Sequence, residues 1–122
     1  MAKIDIEKLR AYELQANMLS VLANPKRLMI MDLLGDGAKT VTEIASALDM
    51  TLQNASQHLR LMKEQSIVTP ERDGQTVTYR LTTPVFKECC ETVRKAMVEE
   101  VRKKGKELSQ TADTFFSKIE KT

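Results

Sequence analysis

Apolar positions recur at helical spacing over most of this chain and change to strand spacing once, after its midpoint. The first segment runs from about Ile6 to Leu22 and carries apolar residues mostly three or four positions apart. These residues are Leu9, Tyr12, Leu14, Met18, Leu19 and Leu22. The pattern predicts an amphipathic first helix.

A second helix is predicted after Asn24-Pro25, because Asn is a favoured N-cap and Pro is favoured at the first helical position. It should end at Gly35-Asp36-Gly37, since glycine commonly follows the end of a helix. We expect its buried face to consist of Leu28, Met29, Leu33 and Leu34.

Two short helices separated by a tight turn are predicted next. Thr40 and Glu43 have the spacing of a capping box, which marks the start of the third helix. The expected buried side of that helix is Ile44, Ala45 and Leu48. Asp49-Met50 forms the turn, and Thr51 can cap a fourth helix that runs to about Gln65. The expected apolar face of the fourth helix is Leu52, Ala55, Leu59 and Met62.

The spacing becomes strand-like at Ile67. Ile67 to Arg72 and Thr76 to Leu81 flank Asp73-Gly74, a pair that tolerates positive φ and predicts a β-hairpin. After Thr83-Pro84, a last helix is predicted from Val85 to near the end. Its apolar stripe is Phe86, Cys89 or Cys90, Val93, Met97, Val101, Leu108, Ala112, Phe115 and Ile119, nearly a heptad repeat with a weak point at Gly105. These elements predict a mainly α (α+β) fold, a winged helix-turn-helix with about five helices, one β-hairpin wing and a long C-terminal helix.

Composition narrows the class of protein only slightly. The 122 residues suffice for a single domain, with three Phe, two Tyr and no Trp. The net charge is only +2, so any charge that meets DNA must be concentrated locally or doubled in a dimer. No apolar run approaches the roughly 20 residues of a membrane span, and no secretory segment begins the chain. Two adjacent Cys form no disulfide framework. We therefore expect a cytoplasmic protein.

Polar side chains on the fourth helix and at the hairpin tip are the candidate DNA contacts. They are Thr51, Gln53, Asn54, Ser56, Gln57 and Arg60 on the helix, and Arg72 and Gln75 at the tip. Amide side chains can pair with adenine and Arg with guanine, whereas Arg on a ribbon suits phosphate or the minor groove. A merely solvated helix face would carry mostly Lys and Glu, but here Lys63 and Glu64 lie only at its carboxyl end.

Other polar residues have more than one interpretation. Arg80, on the returning strand, could add a phosphate contact, and Lys26 and Arg27 could equally bind phosphate or lie on the surface. His58, the only histidine, favours a structural or DNA-adjacent role over metal binding. The chain has no nucleophile–base pattern, glycine-rich phosphate loop or paired carboxylates, so we do not expect this protein to be an enzyme.

These motifs resemble those of the ArsR/SmtB family of bacterial and archaeal winged-helix repressors, from Leu19 to about Val93. SVLANPKRLMIMDLL is similar to the family pattern ALADPTRLRIL, and EIASALDMTLQNASQHLRLMKEQSIV to DLAEALGLSQPAVSHHLKVLREAGLV. ERDGQTVTYRL is similar to the family's wing. The resemblance implies a homodimeric transcriptional repressor that binds a near-palindromic double-stranded DNA operator. Within residues 1–122, residues 20–82 would be the DNA-binding core, and residues 1–22 and 84–120 the dimerisation helices.

The resemblance also implies an inducer, because family members release DNA when a metal ion, metalloid or oxidant acts on them. The thiolates of the arsenic and cadmium sensors are replaced here by Thr40 and Thr42, and the last helix has no His for a zinc or nickel site. Cys89 and Cys90 remain as candidate sensor thiols for a metalloid, a metal or an oxidant, or else as small apolar residues of the stripe. The alternative function is a ligand-independent architectural or partner-docking DNA-binding protein.

Overall fold

The computed structural model describes residues 3–105, 114, 117 and 118, and this part of the chain contains five helices and one three-stranded sheet. In chain order the elements are α1 (Ile6–Leu22), α2 (Pro25–Leu34), β1 (Lys39–Thr40), α3 (Val41–Ala47), α4 (Leu52–Glu64), β2 (Val68–Asp73), β3 (Thr76–Leu81) and α5 (Val85–Lys104). The predicted fold class is confirmed. By their contacts, the residues form two units, 1–84 and 85–122.

Side-chain caps fix where the helices begin, as the sequence predicts. The Oδ1 atom of Asn24 accepts hydrogen bonds from the first backbone N–H groups of α2, and Pro25 occupies the first helical position. At α3, Thr40 and Glu43 form both hydrogen bonds of a capping box. Thr51 Oγ1 accepts from the backbone N–H of Asn54 at 3.0 Å, which caps α4. These bonds satisfy N–H groups that have no partner inside the helices.

The buried core formed by the described residues of the first unit, 3–84, is wholly apolar. Its buried side chains are Leu22, Ile30, Met31, Leu34, Ile44, Ala45, Ala55, Leu59, Met62, Ile67, Val68 and Leu81. The expected buried faces of α3 and α4 are largely confirmed, although Leu48 is half-buried and Leu52 is 54% exposed.

The buried face of α2 differs from the predicted one. Met29 is 47% exposed, whereas Ile30 and Met31 are fully buried. Helix α2 packs against both α4 and β3, so its core face is centred on Ile30, Met31 and Leu34. The segment LMIMDLL is apolar at nearly every position, and spacing alone does not select the buried ones. Most of the α1 stripe is also exposed, and only Leu22 is buried.

The sheet is antiparallel with strand order β1-β3-β2. The hairpin pairs Val68 with Leu81 and closes at Asp73 and Thr76, where Gly74 adopts φ 64° as the turn requires. Strand β1 was not predicted, because two residues are too few to show a period. It pairs Lys39 with Tyr79 and so fixes the segment before α3 to the wing.

Helix α5 buries none of its described residues. Val93 and Met97 of the predicted stripe are exposed, Phe86 and Val101 are half-buried, and Leu108, Ala112, Phe115 and Ile119 lie outside the described residues. No helix in the described part of the chain has the length and apolar character needed to cross a membrane.

Candidate nucleic-acid interface

Helix α4 has one buried side and one exposed polar side. Ala55, Leu59 and Met62 are fully buried, because α2, α3 and β2 all pack against this helix. The opposite side carries the predicted contacts Gln53, Asn54, Ser56, Gln57 and Arg60, and all of them are exposed. A 13-residue helix is about 20 Å long, and the major groove is wide enough to admit it.

The amino-terminal end of α4 suits the approach of an anion. No acidic residue lies in its first turn, although helices generally favour acidic side chains there. Thr51 lies at this end, where its oxygen accepts the capping hydrogen bond and its hydroxyl hydrogen can still be donated. Asp49 adopts φ 51°, and this turn directs the chain from α3 into α4.

The wing presents Arg72 and Gln75 at its tip. Arg72 pairs with Val77 in the hairpin, Gln75 lies in the turn, and both residues are exposed. The wing belongs to the same unit as α4, and β2 packs against that helix. The eight predicted DNA contacts are therefore all exposed on α4, on its cap and on the hairpin beside it.

Arg80 makes two contacts within the wing. Its Nε atom donates to Glu71 Oε1 across the hairpin, and its Nη1 atom donates to the carbonyl oxygen of Leu81 at 3.1 Å. Two of its five donors therefore hold Arg80 within the hairpin, and a phosphate contact by its remaining donors stays a prediction.

His58 lies between the two sides of α4 and is half-buried. Its Nδ1 atom is 3.2 Å from Nη1 of Arg27, a residue of α2. Burial, and then the positive charges of Arg27 and Lys26, lower the pKa of His58 below its ordinary value. The side chain is therefore neutral at physiological pH. Arg27 is half-buried and contacts His58, which does not fit a plain surface position, and a phosphate contact of Arg27 stays a prediction.

Known proteins share this arrangement. A family model described as "Helix-turn-helix domain" matches residues 22–71. The chain is 31% identical over 72 residues to the transcriptional repressor SdpR of Bacillus subtilis, an alignment that covers 59% of this chain and 80% of SdpR. It is 37% identical over 79 residues to the nodulation protein NolR of Rhizobium meliloti, and spans 65% of each protein.

A solved structure extends the likeness to the three-dimensional fold over most of the chain. It is the homodimeric winged helix-turn-helix DNA-binding domain of Mb0332 from Mycobacterium bovis, described as a possible ArsR-family transcriptional regulator. The TM-score is 0.72 at 31% sequence identity, and the match covers 81% of this chain and 92% of that one. This chain belongs to the ArsR/SmtB family of winged helix-turn-helix transcriptional regulators.

This ArsR/SmtB chain uses oxygen atoms where the family's arsenic and cadmium sensors have thiolates. Thr40 is the N-cap of α3, and its hydrogen bonds with Glu43 occupy its backbone N–H and its hydroxyl. The backbone N–H of Thr40, and then its hydroxyl, lower the pKa of Glu43. Thr42, two positions further on, is exposed. The start of α3 is therefore a capped helix end without a soft metal ligand.

Two features of α4 are not predicted by the sequence. Leu52 was expected in the core, but it is exposed in the first turn of α4, where the family pattern has Gln. Arg27 gave no sequence signal of its contact with His58, because 31 positions separate the two residues. The Gln of the family pattern at this position was the one available clue that residue 52 is exposed, although it lies in line with the buried Ala55 and Leu59.

The two thiols lie on α5. Cys89 is exposed and Cys90 is half-buried, so the pair is not uniformly buried within the chain. Within the described residues, no three His, Cys, Asp or Glu side chains are grouped closely enough to hold a metal ion. A closed metal site at these cysteines would therefore need ligands from elsewhere.

Proposed function

We propose that this chain is a homodimeric transcriptional repressor that binds a near-palindromic DNA operator and inserts one α4 helix into the major groove of each half-site. The observation that carries the proposal is the exposed polar face of α4 beside an exposed wing. Amide, hydroxyl and guanidinium groups on such a face match the donors and acceptors at base edges. Family membership supports the same class of function.

Apolar surface on α1 supports the dimer. Ile6 is 80% exposed and Leu14 is 64% exposed, and Leu9, Tyr12 and Leu19 are exposed as well. An apolar surface of this extent is typical of a protein interface, and the Mb0332 domain is described as homodimeric. We assign dimerisation to residues 1–22 and 84–120, and DNA binding to residues 20–82. Twofold symmetry would then set the two α4 helices about 34 Å apart, one turn of DNA.

We assign the proposed contacts to two classes. Ser56 and Gln57, together with Gln53, Asn54 and Arg60, face base edges and set specificity. Thr51, Arg72 and Gln75 face the phosphate backbone and set affinity. Specificity and overall affinity should therefore respond to different substitutions.

The test is the affinity of the full chain for its own promoter and for a shuffled fragment of equal length, at one salt concentration. Ser56→Ala and Gln57→Ala should each lower the ratio of the two affinities. Ser46→Ala, the same change at an exposed position of α3, is the matched control and should leave the ratio unchanged. Equal affinity of the wild type for both fragments would contradict a specific repressor and favour the architectural alternative.

We propose a sensing role for Cys89 and Cys90 because the exposed thiol of Cys89 is open to attack by an oxidant or a thiophilic metalloid. A bound metal or metalloid would use thiols from both protomers, since two ligands fall short of a closed site. The double change to Ser should abolish release of the operator by arsenite, cadmium or peroxide. Unchanged release in the double variant would leave the cysteines as ordinary residues of the α5 stripe.

A further inference from the structure

One guanidinium group connects the three helices α1, α2 and α4. Arg27, in the first turn of α2, donates from Nε to the carbonyl oxygen of Val21 in the last turn of α1. Its Nη1 atom lies 3.2 Å from Nδ1 of His58 on α4. The side chains of Arg27 and His58 are both half-buried, so water screens this connection less than it would on the surface.

The chemistry of the two contacts fixes the state of the histidine. Arg carries only donors, so Nδ1 of His58 must be the acceptor and the neutral imidazole must carry its hydrogen on Nε2. The carbonyl oxygen of Val21 is in the last turn of α1, where helix carbonyls lack partners within the helix. A guanidinium can satisfy both groups at once from two different nitrogens of a rigid planar fork, whereas the ammonium of Lys is a compact point charge without that fork.

The bridge reaches the proposed recognition surface directly. His58 follows Gln57 and precedes the fully buried Leu59, so a hydrogen bond at His58 restrains the rotation of α4 about its own axis. A small rotation would move Ser56 and Gln57 together relative to the base edges. Hydrogen-bond readout tolerates only small errors of distance and angle.

We propose that Arg27 and His58 are positioning residues for DNA recognition: the guanidinium of Arg27 fastens α4 to the carboxyl end of α1, and only neutral His58 completes this bridge. The proposal rests on the proposed function, since it assigns the orientation of α4 to a contact outside the DNA surface. It also makes specificity depend on pH through the chain's single histidine.

The charges around His58 set the direction of that dependence. The groups that act on it are Arg27 and Lys26, both cationic and both at the start of α2, and they lower its pKa in addition to the effect of burial. Protonated His58 has only donors, so Nδ1 can no longer accept from Arg27 and the two cations repel. Below the ordinary pKa range of histidine, the bridge should open.

Protonation also has an opposing effect on DNA binding. An added positive charge on α4 strengthens binding to any DNA, because phosphates attract it whatever the sequence. The informative quantity is therefore the ratio of operator affinity to shuffled-DNA affinity. A histidine that acted only as a charge would raise both affinities and leave the ratio unchanged.

The first arm of the test measures this ratio for the full chain from pH 7.5 to pH 5.5 at constant salt. We expect the wild-type ratio to fall roughly tenfold, the factor expected for one hydrogen bond to a charged group. His58→Asn places an amide at the position of Nδ1 and cannot be protonated, so its ratio should stay constant with pH. His58→Gln is the second variant, and circular dichroism at each pH verifies that both are folded. A constant wild-type ratio, or the same fall in both folded variants, would overturn the proposal.

The second arm needs no DNA and separates this proposal from the proposed function. In the ¹⁵N spectrum of the free protein, the single imidazole should show hydrogen on Nε2 and an acceptor at Nδ1. In Arg27→Lys, the charge remains but the fork is lost, and the tautomer preference should weaken. Hydrogen on Nδ1 in the wild type would refute the bridge. Absence of specific binding at pH 7.5 together with the Nε2 tautomer would instead refute the proposed function.

Discussion

Truncation to Ala should have very different effects on stability at two leucines of α4. Leu59 is fully buried, whereas Leu52, seven positions earlier, is 54% exposed. Truncation of a buried Leu to Ala costs about 2–5 kcal/mol, because the lost burial adds to the cost of the cavity. Leu59 should lie in the upper part of this range, since its core neighbours on the same helix, Ala55 and Met62, are themselves fully buried and cannot easily fill the space.

The free energy of unfolding that Leu59→Ala should remove is large compared with the total stability of a small domain. A domain of this size has a free energy of unfolding of about 5–15 kcal/mol. One kcal/mol shifts its melting temperature by about 4–8 °C, so a loss of about 4 kcal/mol in Leu59→Ala should lower the melting temperature by about 15–30 °C. Leu52→Ala removes a side chain that is already half solvated and should cost about 1 kcal/mol or less.

The assay is urea unfolding of both variants, followed by circular dichroism at one protein concentration, because stability of a dimer depends on concentration. Leu52→Ala should instead lower operator affinity, since an exposed apolar group in the first turn of a recognition helix can contact thymine methyl groups. Deoxyuridine in place of thymine should remove the same contribution from the wild type. Similar destabilisation by the two changes would mean that α4 is not oriented as described.

Three further outcomes follow from the site and its caps. Arg72→Ala should weaken binding to operator and shuffled DNA alike and reduce the slope of log affinity against log salt by about 1; loss of operator binding alone would contradict a phosphate contact. Thr40→Ala should lower the free energy of unfolding by about 1 kcal/mol, as loss of an N-cap does, and a neutral effect in urea unfolding would contradict the capping box. Because folding lowers the pKa of His58, the contribution of this residue to the free energy of unfolding should be fully present above the ordinary pKa range of histidine and be lost as the pH falls through and below that range. Urea unfolding at several pH values should show this dependence in the wild type and not in His58→Asn.

The helix starts and the hairpin were predictable because they rest on local chemistry. Asn24-Pro25, Thr40 with Glu43, and Asp73-Gly74 each act within a few residues, and each forms the predicted cap or turn. The polar face of α4 was predictable for the same reason, since a helical period places Gln57 opposite Leu59 and Ser56 beside it.

Features that depend on tertiary contacts were not predictable. The spacing places Leu52 in the apolar stripe, but the periodicity of a helix does not show whether a neighbouring element covers its first turn. In α2, Met29 and Ile30 are equally apolar, and only packing against α4 and β3 decides between them. The contact of Arg27 with His58 joins residues far apart in sequence, and neither carries a local motif.

Specific operator binding is the central claim, and fluorescence anisotropy of the full chain tests it most directly. The protein is titrated against a labelled fragment of its own promoter and against a shuffled fragment of equal length, both at about 0.15 M salt. We expect the promoter fragment to bind at least about 10³-fold more tightly, as specific DNA-binding proteins do. We also expect Gln57→Ala to reduce that ratio. Equal affinities for the two fragments would contradict sequence-specific recognition by α4.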